Sequence, residues 1–74
     1  MMSKVIKISD CPAIYEMVQL ANQVDGDVTF RKGMYCVDGK SLMGVLSINC
    51  STGVTVEYPE SARAFEAFIN DYCV

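Results

Sequence analysis

Two short stretches hold the residues whose types and spacing suit chemistry. The first is Asp38-Gly39-Lys40-Ser41-Leu42-Met43-Gly44-Val45-Leu46-Ser47, where a lone hydroxyl stands directly before a short apolar run. A serine there caps a helix by accepting a bond from an amide two or three residues on, worth about 1 kcal/mol. The same place suits a phosphate, because free amides and the positive end of the helix dipole favour an anion. The second stretch is Ser9-Asp10-Cys11-Pro12-Ala13. Ser and Asp favour helix caps and Pro the first helical turn. A thiolate is stabilised at a helix N-terminus, and an aspartate can accept a phosphoryl group. No acid or base partner lies near Asp10 or Cys11 in sequence, so the plain reading is a cap and an inert loop thiol.

The four cysteines, Cys11, Cys36, Cys50 and Cys73, are widely spaced, and the chain has no histidine. Zinc sites built from four thiolates draw on closely paired cysteines, which are missing here. Without a secretory signal, disulfides are not expected either. Free thiols acting as small buried hydrophobes are the expectation, with no metal and no cofactor. The 74 residues are 51% hydrophobic and 20% charged with a net charge of -3. That suits one small domain over residues 1–74 with a core of two packed layers. The six basic residues are scattered, which argues against tracking a nucleic-acid backbone. No apolar run reaches membrane-spanning length, and the polar N-terminus does not read as a signal peptide, so a cytoplasmic location is expected.

The elements that must position these stretches follow from hydrophobic period. Lys4–Ile8 alternates as a strand. Ile14, Met17, Val18 and Ala21 form one face of a helix of about three turns, closed by Asp25-Gly26-Asp27. Val28–Lys32 and Met34–Val37 read as a hairpin around Gly33. A short helix over Leu42–Ile48, a turn at Asn49–Gly53 and a strand at Val54–Tyr58 come next. The last helix opens at Pro59-Glu60-Ser61 and places Phe65, Phe68, Ile69 and Tyr72 on one face. The order is βαββαβα, an α+β arrangement with an antiparallel sheet covered on one face. Along the fourth strand, Val54, Val56 and Tyr58 face inward while Thr55 and Glu57 face out.

This order, the size and the stretch from Val37 to Tyr58 resemble HPr, the histidine-containing phosphocarrier of the bacterial sugar phosphotransferase system. The run Lys40–Ser47 is the most specific part of the resemblance. It implies an open-faced β-sandwich, four antiparallel strands covered by three helices. The family's phosphate-carrying histidine lies just before the first helix, in a region matching Ser9, Asp10 and Cys11, where neither that histidine nor its arginine is present. What the resemblance carries over is a regulatory serine at the start of the second helix, which Ser41 matches. It implies a non-enzymatic regulatory protein similar to catabolite-repression HPr-like proteins. The implied partners are phosphotransferase-system components, an HPr kinase or a transcriptional regulator, and the chain would be a monomer or weak dimer. The alternative is a phosphocarrier that uses Asp10 or Cys11.

Leu42, Met43 and Leu46 cannot all point inward from a short helix, so they are the candidate partner-binding residues, Met43 foremost. Gly44 costs about 1 kcal/mol relative to alanine within a helix, which implies close packing on the sheet or close approach of a partner. Lys40 could hold a phosphate, although a single loop lysine is usually solvated.

Overall fold

Along the strand Val54–Tyr58, valine, valine and tyrosine are buried, whereas Thr55 and Glu57 are half-exposed. Period-two burial of this kind puts one sheet face on a core and the other in water. The computed structural model describes residues 1–74. Its elements are β1 (Met2–Ile6), α1 (Cys11–Asn22), β2 (Thr29–Lys32), β3 (Tyr35–Asp38), α2 (Leu42–Ser47), a 3-10 turn (Cys50–Thr52), β4 (Val54–Tyr58) and α3 (Arg63–Asn70). The strands form one sheet in the order β1-β4-β2-β3, with every neighbouring pair antiparallel. This is the expected α+β architecture, four strands with three helices.

The core lies between the sheet and the helices. Ile6, Phe30, Val54, Val56 and Tyr58 come from the strands, Met17, Val18 and Ala21 from α1, Val45 from α2, and Phe65 and Ile69 from α3. The apolar face expected of α1 is the buried one: Ile14, Met17, Val18 and Ala21 all point inward. Tyr58 and Phe65 meet edge to face with centroids 5.7 Å apart, which locks α3 onto β4.

Several boundaries differ from the sequence expectation. β1 ends at Ile6 instead of Ile8. Ile8 is still buried, but its amide donates to the Cys50 carbonyl at 3.0 Å, outside the strand ladder. α2 ends at Ser47, with Ile48 as its C-cap. The last helix does not open at Pro59. Pro59–Ser61 form a turn in which the Ala62 amide donates to the Pro59 carbonyl at 3.0 Å, and Ala62 stands at the N-cap with no side-chain bond. Phe65 and Ile69 are fully buried, while Phe68 and Tyr72 are only partly covered and pack against the core edge. Their shared face is therefore half core and half rim.

Of the cysteines, only Cys50 is the small buried hydrophobe that was expected. Cys11, Cys36 and Cys73 are exposed free thiols.

Candidate functional site

Ser41 stands at the N-cap of α2 in an extended conformation, with its Oγ accepting from the Gly44 amide at 3.1 Å. Its carbonyl accepts the first helical bond, from the Val45 amide at 2.9 Å. The side chain is exposed. Serine is used here as a cap that leaves its hydroxyl within reach of solvent.

The polar run before it is pinned in place. The Gly39 amide donates to the Val28 carbonyl at 2.7 Å and the Ser41 amide to the Asp38 carbonyl at 3.0 Å. The Lys40 amide donates to Asp38 Oδ1 at 3.0 Å. Asn22 Nδ2, at the end of α1, donates to the Lys40 carbonyl at 3.0 Å, and Lys40 Nζ donates to the Val24 carbonyl at 2.8 Å. Lys40 is thus neither a free solvated charge nor a cation aimed at Ser41. It ties the segment after β3 to the end of α1. Gly39 is buried at this junction, where an added Cβ would lie 2.5 Å from Val28 Cγ1 and 2.8 Å from Phe30 Cε1. Only glycine lets the backbone pass so close to the core.

On α2 the three candidate partner residues separate. Leu42 is half-buried against the core, so it belongs with Val45 in packing and not with the exposed pair. Met43 is 83% exposed and Leu46 50% exposed. Gly44 faces β3, and a Cβ there would meet Val37 Cβ at 3.4 Å and Ser41 Oγ at 3.3 Å. Its smallness serves close packing on the sheet and around the cap.

The other stretch enters α1. Asp10 is the N-cap and its Oδ2 accepts from the Ala13 amide at 3.2 Å. Cys11 is the first helical residue, exposed, with Pro12 following. Asp10 is therefore engaged as a cap, whereas the Cys11 thiol is uncommitted. Ser9 lines a shallow groove with Ile8, Ile14, Leu46 and Ser47, so the segment before α1 meets the C-terminal half of α2. Ser41 lies at the opposite end of that helix. Ser9 and Leu46 thus line one groove, and Ser41 is a separate station on the same helix.

Sequence reasoning missed two features. Tyr15 on α1 is 55% exposed, directly after the inward-facing Ile14, and adds an aromatic to the outer helical surface. Tyr58 Oη donates to Glu66 Oε2 at 2.7 Å, where burial first and then the carboxylate push the phenol pKa well up. A strand tyrosine eight residues before a helical glutamate is the only sequence trace of that pair. Burial likewise raises the Cys50 thiol above its usual value.

Comparison with known proteins adds to this geometry. Residues 12–69 match the family profile described as PTS HPr component phosphorylation site. No curated protein matches the chain. Among solved structures, a crystal structure of a phosphocarrier protein HPr from Bacillus anthracis str. Ames is similar, with a TM-score of 0.67 and 25% sequence identity, over 96% of this chain and 95% of that one.

Proposed function

The chain belongs to the HPr family of the phosphotransferase system, and from that premise we propose that it is a regulatory member of the family, not a histidine phosphocarrier. The observation that carries this reading is the complete absence of histidine from a chain that keeps the family fold. The loss falls at Ser9, Asp10 and Cys11, where the chain enters α1. Asp10 is spent on capping the Ala13 amide.

In this reading α2 is the surface that partners recognise, through Met43 and Leu46, with Leu42 supporting them from the core side. Ser41 is the switch. An HPr kinase transfers the γ-phosphoryl group of ATP to Ser41 Oγ; the bond to ADP breaks and the hydroxyl proton is released. A phosphate adds about -1.5 to -2 charge beside the α2 N-terminus. Attraction to an exposed helix end amounts to only about 0.3–1 kcal/mol, and Lys40 Nζ is directed at the Val24 carbonyl. Phosphorylation therefore alters what the surface binds without refolding the domain. The partners are phosphotransferase-system proteins or a transcriptional regulator, in the cytoplasm, and residues 1–74 act as one domain.

The exposed Cys11 thiol at the start of α1 supports a second reading, a carrier that uses cysteine in place of histidine. Incubation with phosphoenolpyruvate and enzyme I, followed by intact mass, separates the two. The regulatory reading expects no added phosphate. A phosphate that disappears in Cys11→Ser or Asp10→Asn would overturn it.

A further inference from the structure

The peptide unit between Lys40 and Ser41 has both of its polar atoms taken. The Ser41 amide donates to the Asp38 carbonyl at 3.0 Å, a local bond within the turn after β3. The Lys40 carbonyl accepts from Asn22 Nδ2 at 3.0 Å, a bond that reaches across from α1. A peptide plane held from both sides restricts the residue that follows it. Ser41 stands at φ -100° and ψ 111°, the extended conformation of a helix N-cap.

Asn22 is fully engaged in turn. A carboxamide carries two N–H donors, and Nδ2 also donates to the Val18 carbonyl at 2.8 Å, four residues back on α1. Both neighbours are acceptors, so the amide presents its nitrogen to them. The side chain forms a bracket between the last turn of α1 and the residue before Ser41. Lys40 reinforces it, because Nζ donates to the Val24 carbonyl at 2.8 Å, just past the end of α1. α1 has no basic residue in its own last turn, and Lys40 supplies the cation that the negative end of a helix dipole favours. Backbone and ammonium of Lys40 are therefore both fixed to the end of α1. Asn22 itself is exposed and lies outside the core, so its bonds can be removed without opening a cavity.

We propose that Asn22 is a positioning residue for Ser41. Its carboxamide sets the Lys40–Ser41 peptide and, through it, the direction in which the Ser41 hydroxyl meets a kinase. This role rests on the reading of Ser41 as a phosphoryl acceptor. Ser41 Oγ accepts from the Gly44 amide at 3.1 Å, which leaves its proton and a second lone pair for the exposed side. In-line attack on the γ-phosphoryl group of ATP needs that oxygen in a set place, and a misplacement of about 1 Å costs up to about 100-fold. Met43 and Leu46, the recognition residues, are not held by Asn22. Loss of the bracket should slow transfer and spare binding.

Steady-state phosphorylation by an HPr kinase and ATP, with the chain as the varied substrate, tests this on the natural chain, Asn22→Ala and Gln19→Ala. Asn22→Ala should lower kcat about tenfold and leave KM within about twofold. Gln19→Ala, also exposed on α1, should change neither. Asn22→Leu, similar in shape to asparagine but without a donor, should match Asn22→Ala. Amide exchange followed by nuclear magnetic resonance is a second readout. The Ser41 and Gly44 amides should exchange about tenfold faster in Asn22→Ala, while those of Val56 and Tyr58 in the sheet are unchanged. Circular dichroism should show the variants folded, because Asn22 is exposed. An unchanged kcat, a loss confined to KM, or exchange at Ser41 and Gly44 as slow as in the natural chain would overturn the role of Asn22 alone. No phosphate on the natural chain would overturn that role together with the regulatory reading.

Discussion

Gly39→Ala asks whether the segment leading to Ser41 is held as tightly as its bonds indicate. The added methyl would lie 2.5 Å from Val28 Cγ1, 2.8 Å from Phe30 Cε1 and 2.9 Å from Phe30 Cδ1. Ordinary contact between carbons is about 3.5–4.0 Å, so three atoms overlap by most of an ångström. Neither neighbour can yield cheaply. Val28 and Phe30 are fully buried, and Phe30 is held between Val37 and Val56 on its two sides. Moving the backbone instead would break the Gly39–Val28 hydrogen bond. Overpacking in a dense core costs about 1–3 kcal/mol, and loss of the bond adds about 1 kcal/mol where the backbone gives way. At about 0.05–0.15 kcal/mol per residue, the whole domain has only about 4–11 kcal/mol to lose. Thermal unfolding should therefore fall by about 10–20 °C. Gly33→Ala is the control: its φ is 59° and nothing lies within 4 Å of an added Cβ, so only backbone strain of about 1 kcal/mol is expected. Melting followed by circular dichroism compares the two. If Gly39→Ala is no more harmful than Gly33→Ala, the account of the pinned junction fails.

Phe65→Ala should cost about 3–5 kcal/mol in urea denaturation, and Phe68→Ala clearly less, because Phe65 is fully buried and Phe68 lies at the rim. Met43→Ala should leave the melting temperature within a degree or two and weaken binding of a partner that reads α2, since the side chain is 83% exposed; strong destabilisation would place Met43 in packing. Alkaline pH should destabilise the fold. The folded state raises the Cys50 thiol above 9.0 and the Tyr58 phenol above 10.0, so the unfolded chain releases these protons first. Their contribution is complete below about pH 9 and is lost as pH rises toward the folded values. Urea midpoints between pH 7 and pH 11 should fall, with a shallower fall in Tyr58→Phe.

The layers of the fold were legible because their signal is local. The alternation of Val54, Thr55, Val56, Glu57 and Tyr58 and the spacing of Ile14, Met17, Val18 and Ala21 report burial directly. Boundaries were less legible where tertiary contacts decide them. Ile8 continues the apolar alternation of β1, yet its amide is claimed by Cys50 from another segment. Pro59 and Ser61 have the chemistry of a helix start but are used in a turn. Ser41 could be singled out because capping is encoded within four residues. The role of Lys40 was hidden, because its partners Asn22 and Val24 are brought near only when α1 packs beside α2. Leu42 differs from Met43 only by its place around the helix, and a helix of six residues gives too little periodicity to separate them.

The most direct test of the regulatory reading is an intact mass after incubation with an HPr kinase and ATP, run beside Ser41→Ala. The account predicts one added phosphate on the natural chain and none on the variant, with circular dichroism unchanged by the modification. No phosphate on a folded natural chain, or the same phosphate on Ser41→Ala, would contradict it.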